Sequence, residues 1–152
     1  MNKPFFYKCG NISIDINNRG SGKTTAMVED IVHYLKNTDM NIGYITPYIL
    51  EDYQAMKMRI EKIVKNDNIT LKNRFFNISN MYSSNIKDDM RIYIDDFIRL
   101  DELDERLFLR KNMYMTCDLE DIKFFNKNSY FLKEVSNVVS WRRKEIINKL
   151  LK

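Results

Sequence analysis

The fold class follows most directly from the segment Asn17-Asn18-Arg19-Gly20-Ser21-Gly22-Lys23-Thr24-Thr25 and the residues on either side of it. Before it, isoleucines alternate with polar residues over 11–16, which predicts a β-strand. After it, apolar residues recur at helical spacing over 23–36, which predicts an α-helix. The glycines between them predict a tight loop that joins the strand to the helix.

The rest of the chain continues this alternation of strands and helices. Further strands are predicted at 41–48, 71–79, 90–94 and 112–116. Further helices are predicted at 50–64 and in part of 97–111, and 130–151 is predicted to be one long helix or two joined helices. The polar segments 81–89 and 118–128 are predicted to be loops. This order is typical of an α/β fold whose open, mostly parallel sheet is flanked by helices.

Length and composition predict a single domain over residues 1–152. A chain of 152 residues buries about 68 to 70% of its unfolded surface in one core, and 44% of these residues are apolar. No tract rich in Gly, Ser or Pro marks a linker. The segment from about 129 to 152 is basic and helical in pattern, which is typical either of a contact with a nucleic-acid backbone or of a solvated helix face.

The composition also excludes several classes of function. With two cysteines and one histidine, the chain lacks the usual four ligands of a structural zinc site, and a histidine-dependent hydrolase is disfavoured. The scarcity of cysteine indicates a reducing compartment. No apolar run approaches the roughly 18 residues of a membrane span, so we expect a cytoplasmic protein with no membrane partner.

The glycine-containing stretch fits the phosphate-binding loop pattern G-x-x-x-x-G-K-[ST], except that Asn17 replaces the first glycine. Asparagine tolerates a left-handed backbone, which accounts for the replacement. In such a loop the backbone N–H groups hold phosphate at a helix N-terminus, Lys23 reaches the β- and γ-phosphates, and the Thr24 hydroxyl coordinates Mg²⁺. The candidate phosphate-binding residues are therefore Asn17, Asn18, Arg19, Gly20, Ser21, Gly22, Lys23, Thr24 and Thr25. The alternative is a glycine turn that caps a helix without binding a ligand.

A second signal is the run Ile92-Tyr93-Ile94-Asp95-Asp96, which resembles a Walker B strand with acids at its carboxyl end. Here Asp95 would hold Mg²⁺ through water, and Asp96 would orient the attacking water. The alternative is that the two acids cap a helix beginning near Phe97. Thr116, at the end of the next predicted strand, either senses the γ-phosphate or is an ordinary strand-end threonine.

Several other residues have two interpretations each. Arg19 lies in the loop and could stabilise transition-state charge in cis, whereas Arg106, Arg110, Arg142 and Arg143 either act in trans on a neighbouring subunit or are solvated charges. The polar Ser13 and Asp15 are unusual for a central strand, so one face of it is exposed or these side chains have partners. The aromatic side chains of 5–7 either stack on an adenine or seal the core.

Together these residues resemble the P-loop ATPases of viral DNA packaging, the terminase large-subunit group. The resemblance covers residues 11–116 and is carried by Arg19-Gly20-Ser21-Gly22-Lys23-Thr24, by Asp95-Asp96-Phe97-Ile98-Arg99 and by Ile45-Thr46-Pro47-Tyr48. It implies a RecA/ASCE-like fold, ATP and Mg²⁺ as cofactors, and hydrolysis by Lys23, Arg19 and Asp96. It also implies action on double-stranded DNA as a homo-oligomeric ring or within a larger viral assembly.

The chain departs from that family in ways that keep other functions open. Asn17 replaces a glycine, Asp96 replaces the usual glutamate, and the 152 residues end where a terminase would continue into a nuclease domain, so the resemblance does not imply DNA cleavage. The alternatives are an AAA-type replication-accessory ATPase, a small P-loop kinase with Arg106 and Arg110 in a lid, and a nucleotide-binding protein with weakened catalysis. The double acid disfavours the kinase, and the lack of an Asn-Lys-x-Asp motif disfavours a GTPase.

Overall fold

The computed structural model describes residues 6–9, 11–45, 50–72, 74–77, 90–95, 112–124 and 133–151. The strands are β1 (Phe6–Cys9), β2 (Asn11–Asn17), β3 (Asn41–Ile45), β4 (Phe75–Asn77), β5 (Met90–Ile94) and β6 (Asn112–Asp118). The α-helices are α1 (Lys23–Asn37), α2 (Leu50–Val64) and α3 (Lys133–Leu150), and 3₁₀ helices occupy Lys65–Asp67 and Leu119–Phe124.

The strands form one six-stranded sheet in the order β1-β2-β6-β5-β3-β4. β1 runs antiparallel to β2, and every other neighbouring pair is parallel. The predicted α/β class with a mostly parallel sheet is therefore confirmed. Because the strands are parallel, the carboxyl ends of β2, β6 and β5 lie side by side at one edge of the sheet, which we call the carboxyl edge.

Side-chain alternation along the strands gives the sheet two buried faces. On one face, the isoleucines of β2 pack with β5, β6 and Val138 and Val139 of α3. On the other, α1 and α2 cover Tyr44, Tyr93 and Tyr114. Alternation places Ser13, Asp15 and Asn17 on this second face, together with the even-numbered residues of β6.

Most predicted elements are confirmed where the structure describes them. α2 and β5 have the predicted bounds, while β2 and α1 each extend one residue further. The predicted strand at 41–48 is confirmed as far as Ile45, and helix at 130–151 is confirmed over Lys133–Leu150, which form the single helix α3. The predicted elements at 46–48, 81–89 and 97–111 lie outside the described residues.

Two predictions about the elements are wrong, and one strand was missed. The strand predicted at 71–79 begins only at Phe75, because a turn at Leu71, whose carbonyl accepts from the Arg74 N–H, precedes it. Residues 119–124, predicted to be loop, form a 3₁₀ helix. This helix is too short for a repeating pattern of apolar residues to be recognised in the sequence. β1 was not predicted at all, since its four residues are too few for alternation to be recognised. The side chains of 5–7 lie outside what the structure describes.

A buried arginine connects several elements at the opposite edge of the sheet from the carboxyl edge, where β2, β5 and β6 begin. Arg91 of β5 is only 1% exposed, and its Nε lies 3.0 Å from the Asp30 carboxylate of α1. Its Nη1 donates to the Asn11 carbonyl and to the Asn112 side chain, each at 2.6 Å. The Tyr93 hydroxyl donates to Asp30 at 2.6 Å and accepts from Arg91. One guanidinium therefore ties α1 to the first residues of β2 and β6.

Burial is the largest cause that raises the pKa of Tyr93, and the neighbouring Asp30 charge adds to it. The phenol therefore stays protonated and keeps its hydrogen bond to Asp30. The guanidinium of Arg91 also lies 4.5 Å from the centre of the Tyr34 ring, which shields it from water.

We expect Arg91→Ala to lower the free energy of unfolding by about 3 to 5 kcal/mol, because it leaves Asp30 without its buried counter-ion. Urea denaturation measures the loss. Lys36→Ala is the control, since Lys36 forms a half-exposed ion pair with Asp67 at 3.1 Å and should cost under about 1 kcal/mol. Equal losses in the two variants would show that the Arg91 network contributes nothing particular to stability.

Candidate functional site

The loop between β2 and α1 depends on two glycines with left-handed backbone. Gly20 has a φ of 80° and Gly22 a φ of 91°, conformations that strain any residue with a Cβ. The Ser21 N–H donates to the Asn18 carbonyl at 3.1 Å and closes the turn. Gly22 is the N-cap of α1, so no side chain caps the helix, and its first turn contains no acid. The positive end of the α1 dipole therefore faces the loop without a negative side chain of the helix itself.

Asn17 does not have the conformation predicted for it. It is the last residue of β2, paired with Asp118 of β6, and among the described residues only Asn68 is a non-glycine with positive φ. Its side chain is buried and donates to the Asp15 carboxylate. The left-handed explanation for the missing first glycine is therefore wrong, because the strand pairing continues through this residue.

Lys23 folds back over the loop and uses all its hydrogen-bonding capacity there. Its Nζ donates to the carbonyls of Asn17 and Asn18, each at 2.9 Å, and lies 2.7 Å from Oδ1 of Asp118. A lysine ammonium has three N–H donors. All three are therefore directed at groups of this chain.

Asp118, the last residue of β6, contacts both cations of the loop. While Oδ1 faces Lys23, Oδ2 lies 3.4 Å from Nε of the exposed Arg19. Partial burial by itself would raise the pKa of the Asp118 carboxyl, but the hydrogen bonds and charges of Lys23 and then Arg19 outweigh it, and the pKa is lowered. The backbone N–H of Arg19 also lies 3.4 Å from a Glu120 carboxylate oxygen.

Asp95 follows β5 at the same edge and is held by two hydroxyl groups. Tyr44 donates to Oδ2 and Thr116 donates to Oδ1, both at 3.0 Å. The Asp95 N–H donates to the Ile45 carbonyl at 2.9 Å. Each carboxylate oxygen thus keeps free lone pairs while its direction is fixed.

Thr116 lies elsewhere than predicted. It was expected at the end of its strand, but β6 continues to Asp118, and Thr116 is a buried residue within the strand. Its hydroxyl contacts Asp95, so the structure connects it with the acidic strand end.

The donor atoms at this edge suit Mg²⁺. Thr24, the second residue of α1, has an exposed side chain, and Asp95 offers carboxylate oxygens. Mg²⁺ prefers such hard oxygen ligands and completes its shell with water and phosphate oxygens. The described residues contain no group of three His, Cys, Asp or Glu side chains that could hold a metal by themselves.

The polar side chains of β2 are buried, not exposed. Asp15 is 5% exposed, pairs opposite Thr116, and accepts from the Asn17 side-chain amide. Burial raises the pKa of Asp15, and the hydrogen bond from Asn17 and the charge of Lys23 only partly oppose this. Of the two explanations for a polar central strand, the structure favours side-chain partners.

The described arginines of α3 are bound within their own chain. Arg142 is buried, with Nε 3.3 Å from the Ile16 carbonyl and Nη1 3.0 Å from Glu145. Arg143 donates to the Ile122 carbonyl. These partners disfavour action in trans by either residue. Arg106, Arg110 and Asp96 lie outside the described residues.

Sequence reasoning missed the residues that complete this site, above all Asp118 and Tyr44. The signal for Asp118 was present, because Tyr114, Thr116 and Asp118 occupy alternate positions and so share one face of a strand. Ending the predicted strand at Thr116 concealed it. Tyr44 gave no local signal, since its role depends on the pairing of β3 with β5.

No protein-family model, curated protein or solved structure matches this chain. Within the described part of the chain, none of the helices is both long and apolar enough to cross a membrane.

The raised pKa of Asp15 predicts a pH dependence of stability. The folded protein binds this proton more tightly than the unfolded chain, so stability falls as pH rises from about 4 through the raised pKa. Asp15→Asn removes the ionisation and keeps an acceptor oxygen for Asn17. We therefore expect the melting temperature of Asp15→Asn, relative to wild type, to increase as the pH rises above about 4 and through the raised pKa of Asp15.

Thermal melts at a series of pH values measure this difference. Asp67→Asn, in the exposed 3₁₀ helix, corrects for the general effect of removing one negative charge. A difference between Asp15→Asn and wild type that does not change with pH would show that burial leaves Asp15 unaffected.

Proposed function

We propose that this chain is a P-loop protein of RecA/ASCE-like type that binds and hydrolyses ATP. The observation that carries the proposal is the position of Lys23. Its ammonium lies over a loop formed by two left-handed glycines, directly before an α-helix that has no side-chain cap. This combination of lysine, loop and helix N-terminus favours the phosphate chain of a nucleotide.

The strand order supports the proposal. β6 lies between β2 and β5, so the strand before the loop and the strand before Asp95 are two strand spacings apart, about 10 Å. Ligands of open α/β sheets bind beyond the carboxyl ends of the strands. A strand inserted between the loop strand and the acidic strand is also the order expected of a RecA/ASCE-like sheet.

In this proposal, each side chain of the site has a role in binding the phosphates or Mg²⁺. Lys23 and the N–H groups of 20–25 hold the β- and γ-phosphates, and Thr24 and Asp95 hold Mg²⁺. Bound Mg²⁺ neutralises charge on the phosphate oxygens. Tyr44 and Thr116 fix the direction of the Asp95 carboxylate.

Two further residues complete the proposed chemistry. Arg19 lies in the loop, and its side chain, 73% exposed, would meet charge that develops on the γ-phosphate. Asp96 follows Asp95 directly in the sequence and would orient the attacking water.

The more specific proposal is a DNA-packaging motor of the terminase kind that acts on double-stranded DNA as a ring of identical subunits. It is supported by the sequence resemblance and by exposed lysines of α3, Lys144 and Lys149, which offer contacts to a phosphate backbone.

A nucleotide-binding protein with weak turnover is the second candidate. Asp96 favours it, because it stands where such ATPases usually carry a glutamate, and a carboxylate one methylene shorter places the attacking water differently or slows hydrolysis.

Steady-state hydrolysis of MgATP, with and without duplex DNA, tests the proposal. We expect Lys23→Ala to weaken ATP binding by about 10- to 100-fold, as expected for the loss of a hydrogen bond to a charged group. Asp95→Asn and Asp96→Asn should abolish turnover while leaving metal-free ATP binding largely intact. Lys36→Ala, in the last turn of the same helix, is the matched control.

The outcomes separate the candidates. Hydrolysis that DNA stimulates and that the aspartate variants abolish supports a nucleic-acid motor, whereas binding without turnover supports the second candidate. ATP binding by Lys23→Ala that equals wild type contradicts the site.

A further inference from the structure

Asp118 occupies the position of an anionic ligand between the two cations of the loop. One carboxylate oxygen lies 2.7 Å from the Lys23 ammonium and the other 3.4 Å from the Arg19 guanidinium. A phosphate group that binds to this loop presents oxygens to the same two donors. The carboxylate therefore makes the contacts that a phosphate would need.

Lys23 has no donor to spare for a further acceptor. Two of its N–H groups point at the carbonyls of Asn17 and Asn18, which belong to the loop itself, and the third points at Asp118. A ligand that reaches Lys23 must replace one of these partners. Asp118 is the one held by its side chain alone, because both carbonyls are fixed by the backbone.

We propose that the Asp118 carboxylate competes with the phosphates of the ligand for Lys23 and Arg19. This competition sets the affinity of the site, and Asp118 must release both cations before a polyphosphate binds. This inference rests on the proposed function, since it assumes that Lys23 binds phosphate. It assigns Asp118 to control of ligand binding and not to the chemical step.

The fold allows this release without a rearrangement of the sheet. Asp118 is the last residue of β6, and its backbone is held by pairing with Asn17. Its side chain is 17% exposed, so it borders solvent into which the carboxylate can turn. Release is then a change of side-chain rotamer, which is fast compared with movement of a strand.

Charge explains why a polyphosphate can displace Asp118 and why a single small anion is disfavoured. Asp118 offers one negative charge but is tethered, so it competes with no loss of translational freedom. A triphosphate carries several charges and reaches Lys23, Arg19 and the N–H groups of the loop together. The lowered pKa of Asp118 keeps its carboxylate ionised at neutral pH, so the competition persists there.

Binding of inorganic tripolyphosphate, followed by calorimetry on the full chain, tests the inference. Asp118→Asn keeps the size of the side chain and removes its charge, so we expect it to bind tripolyphosphate about tenfold more tightly than wild type. Asp67→Asn removes the same charge at an exposed pair with Lys36 and should bind as wild type does. In the double variant with Lys23→Ala, the gain should disappear, because Asp118 acts through Lys23.

A measurement on the wild-type protein covers the case in which Asp118→Asn does not fold. The carboxyl carbon resonance of Asp118 in NMR should move when tripolyphosphate is added to saturation, since the carboxylate leaves two cations. A resonance that stays in place at saturation would overturn the inference.

The two proposals fail in different ways. If wild type binds tripolyphosphate, Lys23→Ala does not, and Asp118→Asn binds no more tightly than wild type, then Asp118 does not compete and the proposed phosphate site stands. If neither wild type nor Asp118→Asn binds tripolyphosphate or ATP, both proposals are wrong.

Discussion

The contact between the Lys23 ammonium and the ends of two parallel strands is the interaction on which the candidate site depends. Lys23 binds carbonyls at the end of β2 and the carboxylate at the end of β6. Both partners are in place because Asn17 and Asp118 are paired in the β2–β6 register. A shift of one residue in that register would turn Asp118 to the other face of the sheet, away from the loop.

α1 connects this edge with a second polar cluster at the opposite edge. Lys23 begins the helix, and Asp30, about 10 Å further along the helix axis, pairs with the buried Arg91. The charged groups at the two edges differ in burial and in hydrogen bonding. Arg91 is itself buried and directs Nε and Nη1 at groups of its own chain, as expected of a structural ion pair, whereas the loop leaves the start of α1 uncapped and Arg19 exposed.

The sequence predicted the parts of the fold that depend on local pattern. The strand, loop and helix around Gly20 and Gly22 follow from alternation, glycine and helical spacing, as do α2 and β5. The site was only partly predictable, because Asp118 and Tyr44 act through strand pairings between distant segments. Asn17 was misread for the same reason, since its extended backbone is set by its partner strand and not by its own preference. In the sequence Arg91 is one basic residue in the otherwise apolar stretch 90–94, and only the structure shows Asp30, Asn11 and Asn112 around it.

The most direct test of phosphate binding at this loop is a titration of the isotope-labelled protein with MgATP, followed through its backbone amide resonances. Binding as proposed here shifts the amide resonances of 20–25 and of the first turn of α1, because these N–H groups take phosphate oxygens as acceptors. The resonances around Arg91, at the opposite edge, should change little. If saturating MgATP leaves the loop amides unchanged, or shifts only residues elsewhere in the chain, phosphate does not bind at Lys23 and the proposed function is wrong.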